Sequence, residues 1–514
     1  MYPLFVFFVY ADDIRGSEIN SRLGWFFLLI ALSYVIRNKT LFGVLLAPFF
    51  IAGIVDLFYT STFQNLFEAN LVRVLTDTDS SESYEFLSVY INWLNLTIIT
   101  LYFIVFVYLI RVLRLLPPVK LKEKIVIVLG SIMFVVAVQQ IMFHERFKDV
   151  LPGSFGQITD GLNKYFVVKR EMENRPILLS EYTENVSLQK SESPQTYIVV
   201  IGESAVRDHH SLYGYPRQTN PMLEKLKDEL VLFDDVISPY AVTYLSLSHI
   251  LTQMNLENGM KFTDSLSLVG LAGKAGFKTW WLSNQPPYEG TTLSLSLVAD
   301  EVKYVIDSGK TDSDLLPEIK KALVDEAKHK VIFVHLRGSH MTYEKRYPAD
   351  YDYFVDSSGI KIYTDKPTEK QIKVVNAYDN SIRYSDAVVS EIIDNLKKEE
   401  KVAGLVYFSD HGEEVYDYKD FIGHELKRVT PEMFEIPFFV WKSKSYSNNF
   451  PVKVESMITN KSKPILADDF FHFGLCFMGI KTSLYQPKLS SCDNRFAPKT
   501  RKVAGYTYED GQLK

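Results

Sequence analysis

The sequence predicts an α/β architecture: a transmembrane helical domain at the N-terminus, followed by a domain built on a mainly parallel sheet flanked by helices. Three observations carry that prediction. Apolar stretches dominate the first third of the 514-residue chain. The remainder holds short runs rich in Val, Ile and Phe, the pattern of strands buried on both faces of a parallel sheet. Between those runs lie segments with the apolar spacing of amphipathic helices. The expected divisions are a transmembrane domain over 1–145 with four or five helices, an amphipathic and linking segment over 146–194, and an exported domain over 195–514.

The membrane reading rests on Leu23 to Ile36, Leu41 to Tyr59, Val89 to Ile110 and Ile125 to Phe143. The longest of these crosses a hydrocarbon core of about 30 Å. Pro3 to Tyr10 is apolar but too short to span alone, which leaves the first crossing open. It also lacks the basic start and small-residue cleavage site of a signal peptide. Arg37 and Lys39 fall in one short loop, and Arg111, Arg114, Lys120, Lys122 and Lys124 in another, whereas Thr60 to Ser88 is acidic. The positive-inside rule puts both basic loops in the cytoplasm and everything after Phe143 on the far side. Leu151 to Lys169 has near-helical apolar spacing, suited to domain packing or to the bilayer surface. Ser187 to Pro194 reads as a linker.

In the exported part, Tyr197 to Ile201, Phe277 to Leu282, Val331 to Val334, Val402 to Phe408 and Ile436 to Trp441 read as strands. Glu318 to Lys328 and Gln371 to Lys398 read as helices, and Asp350 to Pro367 as a long loop. A net charge of −6 without clustered Lys and Arg argues against nucleic-acid binding. The only cysteines, Cys476 and Cys492, are compatible with one disulfide in an oxidising compartment or with two free thiols.

Chemistry gathers at the strand ends, where open α/β sheets place their sites. Glu203 follows the first strand, His335 and His340 end and follow another, and Asp410 and His411 follow Phe408. Taken alone, an Asp-His pair reads more simply as a turn with a surface histidine. Three strands delivering carboxylates and imidazoles towards one edge instead suit zinc or a similar divalent ion. A nucleophile beside such an ion has a candidate in Thr243, at the start of the helical segment Thr243 to Leu251. By itself Thr243 reads better as a helix N-cap.

The run from Tyr197 through Gly202-Glu203-Ser204 to Tyr215-Pro-Arg-Gln-Thr-Asn-Pro221 resembles the signature of membrane-anchored phosphoethanolamine transferases, in the sulfatase and alkaline-phosphatase-like superfamily. Ser283-Asn-Gln285, Gly338-Ser-His340, Tyr378 to Ile382, Ser409 to Glu413, Gly423-His424 and Glu435-Ile-Pro437 follow in that family's order. The resemblance implies that Glu203, Thr243, Asp410 and His411 hold one zinc ion, with Thr243 the nucleophile. It further implies that His340, His424 and Glu413 bind the phosphoryl group or a second, less constant metal, with His340 or His424 supplying a proton. His335 is a weaker correspondence, equally compatible with a structural hydrogen bond. Asn284 and Gln285 match a motif whose role does not follow from their chemistry, and Asp379 and Asn380 are ranked structural, at a helix start.

What the resemblance implies for function is transfer of phosphoethanolamine from phosphatidylethanolamine to a membrane glycolipid. The glycolipid is lipid A or a core sugar of lipopolysaccharide or lipooligosaccharide, and diacylglycerol leaves. The expected setting is a bacterial inner membrane, with a monomer whose catalytic domain faces the periplasm. Members that modify lipid A carry several disulfides and a cysteine where this chain has His249, which tilts the expected acceptor towards core sugars or other periplasmic glycans. Acceptor selectivity is expected near Tyr240 and in the loop Asp350 to Pro367. A phosphoglycerol transferase or a hydrolase of the same superfamily is the rival reading. A sulfatase, though, needs a Cys or Ser in a Cys/Ser-x-Pro-x-Arg context, absent around Thr243. A non-catalytic binding protein is expected to have lost ligands, and none is missing.

Overall fold

The structure of the chain is a computed structural model. It describes residues 38–63, 80–112, 154–172, 175–190, 192–285, 291–305, 311–399 and 401–514, with isolated positions between 25 and 36 and at 67, 72, 128, 132 and 135. The chain forms two compact units, Met1–Lys169 and Arg170–Lys514.

In the first unit, helices α1 (Lys39–Phe63) and α2 (Trp93–Val112) are long and apolar enough to cross a membrane, two among the described residues. They pack through aromatic rings, with Phe50 stacked on Tyr102 at 5.2 Å and on Phe106 at 4.2 Å between centroids. The expected span Val89 to Ile110 is corrected at its start. A separate helix, Ser80–Tyr90, ends before it, and the Asn92 side chain accepts the amides of Leu94 and Asn95, restarting the helix at Trp93. Much of Leu23 to Ile36 and of Ile125 to Phe143, and all of Pro3 to Tyr10, lie outside the described residues. The amphipathic segment forms a helix over Ser154–Met172.

Seven strands make the sheet of the second unit: β1 (Gln195–Gly202), β2 (Leu230–Phe233), β3 (Lys278–Ser283), β4 (Glu301–Tyr304), β5 (His329–His335), β6 (Val402–Ser409) and β7 (Phe438–Lys442). Their spatial order is β2-β7-β6-β1-β5-β3-β4. Every pair from β6 to β4 is parallel, and β7 alone runs against its neighbours. The centre is buried on both faces because alternate side chains enter different cores: Tyr197, Val199 and Ile201 join one cluster, Ile198 and Val200 the other. Helix α3 (Thr243–Ile250) and helix α5 (Phe470–Met478) supply Leu247, Ile250, Phe470 and Phe473 to the first cluster. Helix α4 (Glu369–Lys397) supplies Val388, Val389, Ile392 and Ile393 to the second.

Thr368 and Gln371 close a capping box at the start of α4. Asp379 and Asn380 therefore sit inside this helix and not at its start, a correction to the sequence reading. The helix expected at Glu318 to Lys328 spans Leu316–Val324. It ends early because Asp325 is extended and its side chain accepts the Ala327 amide. The expected linker also contributes structure, since Ser187–Leu188 pairs with Ile480–Lys481. Asp350 to Pro367 is irregular apart from the turn Ala349–Tyr351. Cys476 and Cys492 are disulfide-bonded, with Cα atoms 6.1 Å apart.

Candidate active site

The parallel strands deliver their polar followers to one rim. Glu203 leaves the end of β1, Asp410 and His411 leave β6, and Gln195 to Gly202 pairs with Val402 to Ser409 in register, so both exits are adjacent. Thr243 opens α3. The N-cap of that helix is Val242, in extended conformation, which removes the reading of Thr243 as a cap and frees its hydroxyl.

Thr243 Oγ1 lies 3.4 Å from each carboxylate oxygen of Glu203 and 3.3 Å from His411 Nε2. His411 Nε2 is 3.4 Å from Glu203 Oε1 and 3.4 Å from Asp410 Oδ2. Atoms bound to one tetrahedral zinc at 2.0–2.2 Å stand roughly 3.3–3.6 Å apart, so this spacing fits the ion. Two further observations agree. Asp410 Oδ2 is buried without a hydrogen-bond partner among the described residues, and His411 Nδ1 donates to the Gly412 carbonyl at 2.8 Å, which turns Nε2 towards Thr243, Glu203 and Asp410. The charges agree too. Burial and then the Glu203 carboxylate push Asp410 up to about 8. Burial opposes the charged forms of Glu203 and His411, yet contact with His411 holds Glu203 well below the carboxylate range, and Asp410 first and Glu203 next lift His411 to about 10. A divalent cation relieves the repulsion between the two carboxylates.

The shell around these atoms is built from the other motifs. Ser204 donates its hydroxyl to Glu203 Oε1 at 2.8 Å and its amide to Asp410 Oδ1 at 3.2 Å. Gln285 Nε2 donates to Glu203 Oε2 at 2.9 Å and to the Leu336 carbonyl at 2.8 Å. Asn284 does not reach the cage. Its amide donates to Asp312 at 2.8 Å, and Asp312 in turn accepts the amides of Arg337 and Gly338, fixing the turn before His340. Gly412 is held by a close approach: a Cβ there would overlap the Glu432 carbonyl oxygen and stand 2.9 Å from that of Glu435. The glycine of the Ser409-to-Glu413 motif is thus explained by the Glu435-Ile-Pro motif.

His424 lies tilted against His411, ring centroids 4.2 Å apart, and its Nδ1 is 2.6 Å from Glu413 Oε2. Tyr343 donates to the other Glu413 oxygen at 2.7 Å. Burial is the main influence lowering the His424 pKa, and His411 adds to it. Within reach of a metal, His411, Glu413 and His424 form a second group that shares His411 with the first. His340 is half-buried, and its Nδ1 has no partner among the described residues. His335 is buried with both ring nitrogens unpartnered there, and burial lowers it to about 4, so it is neutral.

Sequence reasoning missed Asp312, Tyr343 and the hub at Asp379. Asp379 accepts from His209 at 2.5 Å, from Arg217 at 2.8 Å and from Tyr215 at 3.0 Å, and Asp417 approaches the other His209 nitrogen at 3.1 Å. Its neighbour Tyr378 donates to the Ser204 carbonyl at 2.7 Å and accepts the Val206 amide at 2.9 Å. The long signature after Glu203 is therefore anchored to α4. No local pattern announces such a contact, although the co-occurrence of His209, Tyr215 and Arg217 with an internal Asp was a visible signal.

A seven-stranded α/β sheet with this cage at its rim defines a class, and comparison with known proteins identifies it. The sulfatase family profile matches residues 195–480, and the chain belongs to that family. Within it, the relatives that match along nearly the whole chain are phosphoethanolamine transferases. Phosphoethanolamine transferase EptC of Escherichia coli O18:K1:H7 (strain RS218 / NMEC) is 28% identical over 98% of this chain and 90% of its own length. The crystal structure of the C-terminal periplasmic domain of EcEptC from Escherichia coli in complex with Zn covers 64% of this chain and 95% of that one, at 30% identity and a TM-score of 0.59. The integral membrane protein lipooligosaccharide phosphoethanolamine transferase A (EptA) from Neisseria meningitidis shares the fold over 95% of both chains, with a TM-score of 0.68 at 20% identity.

Proposed function

We propose that this chain is a zinc-dependent phosphoethanolamine transferase of the bacterial inner membrane. Its donor is phosphatidylethanolamine and its acceptor a lipopolysaccharide or lipooligosaccharide glycolipid, modified on a core sugar or on lipid A. One observation carries the reading: the Thr243 hydroxyl opens a helix within 3.4 Å of Glu203 and His411, in a chain similar to transferases of this kind over 98% of its length.

Glu203, Thr243, Asp410 and His411 would hold one zinc ion. When bound, the ion lowers the pKa of a hydroxyl it holds and offsets charge on the attacked phosphoryl group. Thr243 gives up its hydroxyl proton to solvent before the attack; its Oγ1 then attacks phosphorus, the Oγ–P bond forms and the bond from phosphorus to the glycerol oxygen breaks. The leaving oxygen takes a proton from His340 or His424, and diacylglycerol departs. The start of α3 turns its positive dipole end towards the anionic group carried on Thr243. In the second step an acceptor hydroxyl gives its proton to the same histidine and attacks phosphorus, and the Oγ–P bond breaks, returning Thr243 to its deprotonated form. Glu413, held by Tyr343, orients His424 for this exchange. Both of its oxygens are engaged, and His411 Nε2 faces Thr243, Glu203 and Asp410, so one resident ion is the occupancy favoured.

Membrane anchoring suits this chemistry, since donor and acceptor are both lipids and tethering raises their encounter frequency. The catalytic domain would face the periplasm. The test is diacylglycerol release from fluorescent phosphatidylethanolamine by the intact protein and by Thr243→Ala, with mass spectrometry of the Thr243 peptide. The intact protein should release diacylglycerol and carry the adduct, and the variant should do neither. Equal release by both would overturn the mechanism. Comparing lipid A, core oligosaccharide and periplasmic glycans from cells with and without the protein identifies the acceptor.

A further inference from the structure

Beside the Cys476–Cys492 disulfide lies a cavity of about 290 Å³, and none of its lining residues belongs to the zinc cage. Lys453, Lys481, Gln189, Thr482 and Asn494 contribute to its wall. The Lys453 ammonium nitrogen is buried there, with no hydrogen-bond partner among the described residues. Phe450 offers its ring face 4.0 Å away, and Gly479, the left-handed residue that ends α5, leaves room above it. The carboxylate in the lining is already committed: Asp493 accepts from Arg495 at 2.9 Å and from Tyr485 at 3.0 Å.

A buried ammonium with three donors and only an aromatic face to meet them is incomplete, because an unmade hydrogen bond on a charged group costs more than on a neutral one. The missing partner is an acceptor. A second cation in the same wall, Lys481, makes that acceptor an anion, and tetrahedral oxyanions satisfy several ammonium donors at once. We propose that this cavity is a phosphate-binding site, distinct from the zinc cage, in which Lys453 and Lys481 grip a phosphomonoester or inorganic phosphate.

The titration of Lys453 agrees. Burial first and Lys481 second lower it to about 7. A bound oxyanion restores its charged form, and the disulfide fixes one wall of the cavity.

Thermal scanning of the detergent-solubilised full chain reads the site, with inorganic phosphate or dihexanoyl phosphatidic acid titrated at constant ionic strength. A saturable rise in Tm is expected, with half-saturation shifted upward by about tenfold, or 1.4 kcal/mol, in Lys453→Met and by less in Lys481→Met. Response to phosphate identifies a free-ion site, and tighter response to the lipid identifies a headgroup site. Should Lys453→Met fail to fold, the wild type suffices. Acetic anhydride labelling near neutral pH, read by peptide mass spectrometry, should show Lys453 labelled less with inorganic phosphate present than without it, and Lys444 labelled equally in both. No response to either probe, an unaltered response in Lys453→Met, or unprotected Lys453 overturns the proposal.

Discussion

Asp379→Asn removes one negative charge from a buried hub while preserving shape, so its consequences are calculable. In the native state Asp379 and His209 are fully buried and Arg217 is 4% exposed. Burial alone would lower the His209 pKa, but Asp417 and Asp379 lift it to about 10, so the imidazolium is charged at neutral pH. Removing one partner from a buried ion pair leaves the other charge uncompensated, which costs about 3–5 kcal/mol. For the unit Arg170–Lys514 the unfolding entropy is roughly 0.7 kcal/mol/K, so the midpoint should fall by about 4–7 °C. The pH profile sharpens the test. His209 has a folded pKa above its unfolded value of 6.5, so its contribution is complete below that pH and is lost as pH rises towards about 10. With only Asp417 remaining, the folded pKa falls and the loss finishes at lower pH. Fluorescence-detected melting of the full chain in detergent, followed through the buried Trp281, measures both effects. A midpoint within about 1 °C of wild type at neutral pH, with an unchanged profile, would refute the hub as a source of stability.

Three other perturbations probe the cage. Gln285→Ala removes the amide from Glu203 Oε2, and competition against a chelator should show zinc affinity lowered by about 10–100-fold; unchanged affinity would deny Gln285 a positioning role. Gly412→Ala forces a methyl onto the Glu432 and Glu435 carbonyl oxygens, and equilibrium unfolding should show a loss of about 1–3 kcal/mol, whereas a neutral result would contradict the close approach. Chelation should lower the melting midpoint and zinc should restore it, because an ion at 1,000 times its dissociation constant stabilises by about 4 kcal/mol. A midpoint indifferent to chelator would argue against a resident ion.

The parallel core was legible because β1, β5 and β6 are short apolar runs rich in Val and Ile or Phe, each leading directly into a polar motif. That juxtaposition also pointed to Glu203, Asp410 and His411, since adjacent parallel strands release their next residues at one rim. Thr243 was harder, because a threonine opening a helix has a common structural explanation that only the extended Val242 removes. Asp379 was placed at a helix start, yet Thr368 and Gln371 cap α4 well upstream. Its partners are more than 160 positions away in sequence, beyond any local pattern. Asn284 and Gln285 are adjacent amides with different targets, Asp312 and Glu203, a distinction set entirely by backbone direction. The disulfide was equally hidden, since two cysteines state a possibility and not a distance.

The reversed direction of β7 has a consequence for how such a protein can diversify. Because β7 runs against β6, the chain leaves the rim at Ser409 and comes back to the same rim at Phe438. Everything between is a closed excursion, pinned at both ends by the sheet and stitched at its neck where Gly412 meets the Glu432 and Glu435 carbonyls. It carries Glu413 and His424 but no strand of the main sheet. Residues of this excursion other than Glu413, Asp417 and His424 can be inserted or exchanged beyond that neck without shifting the register of any strand. The fold thus separates Glu203, Asp410 and His411, fixed at strand ends, from an excursion whose remaining loop residues can vary without rebuilding them.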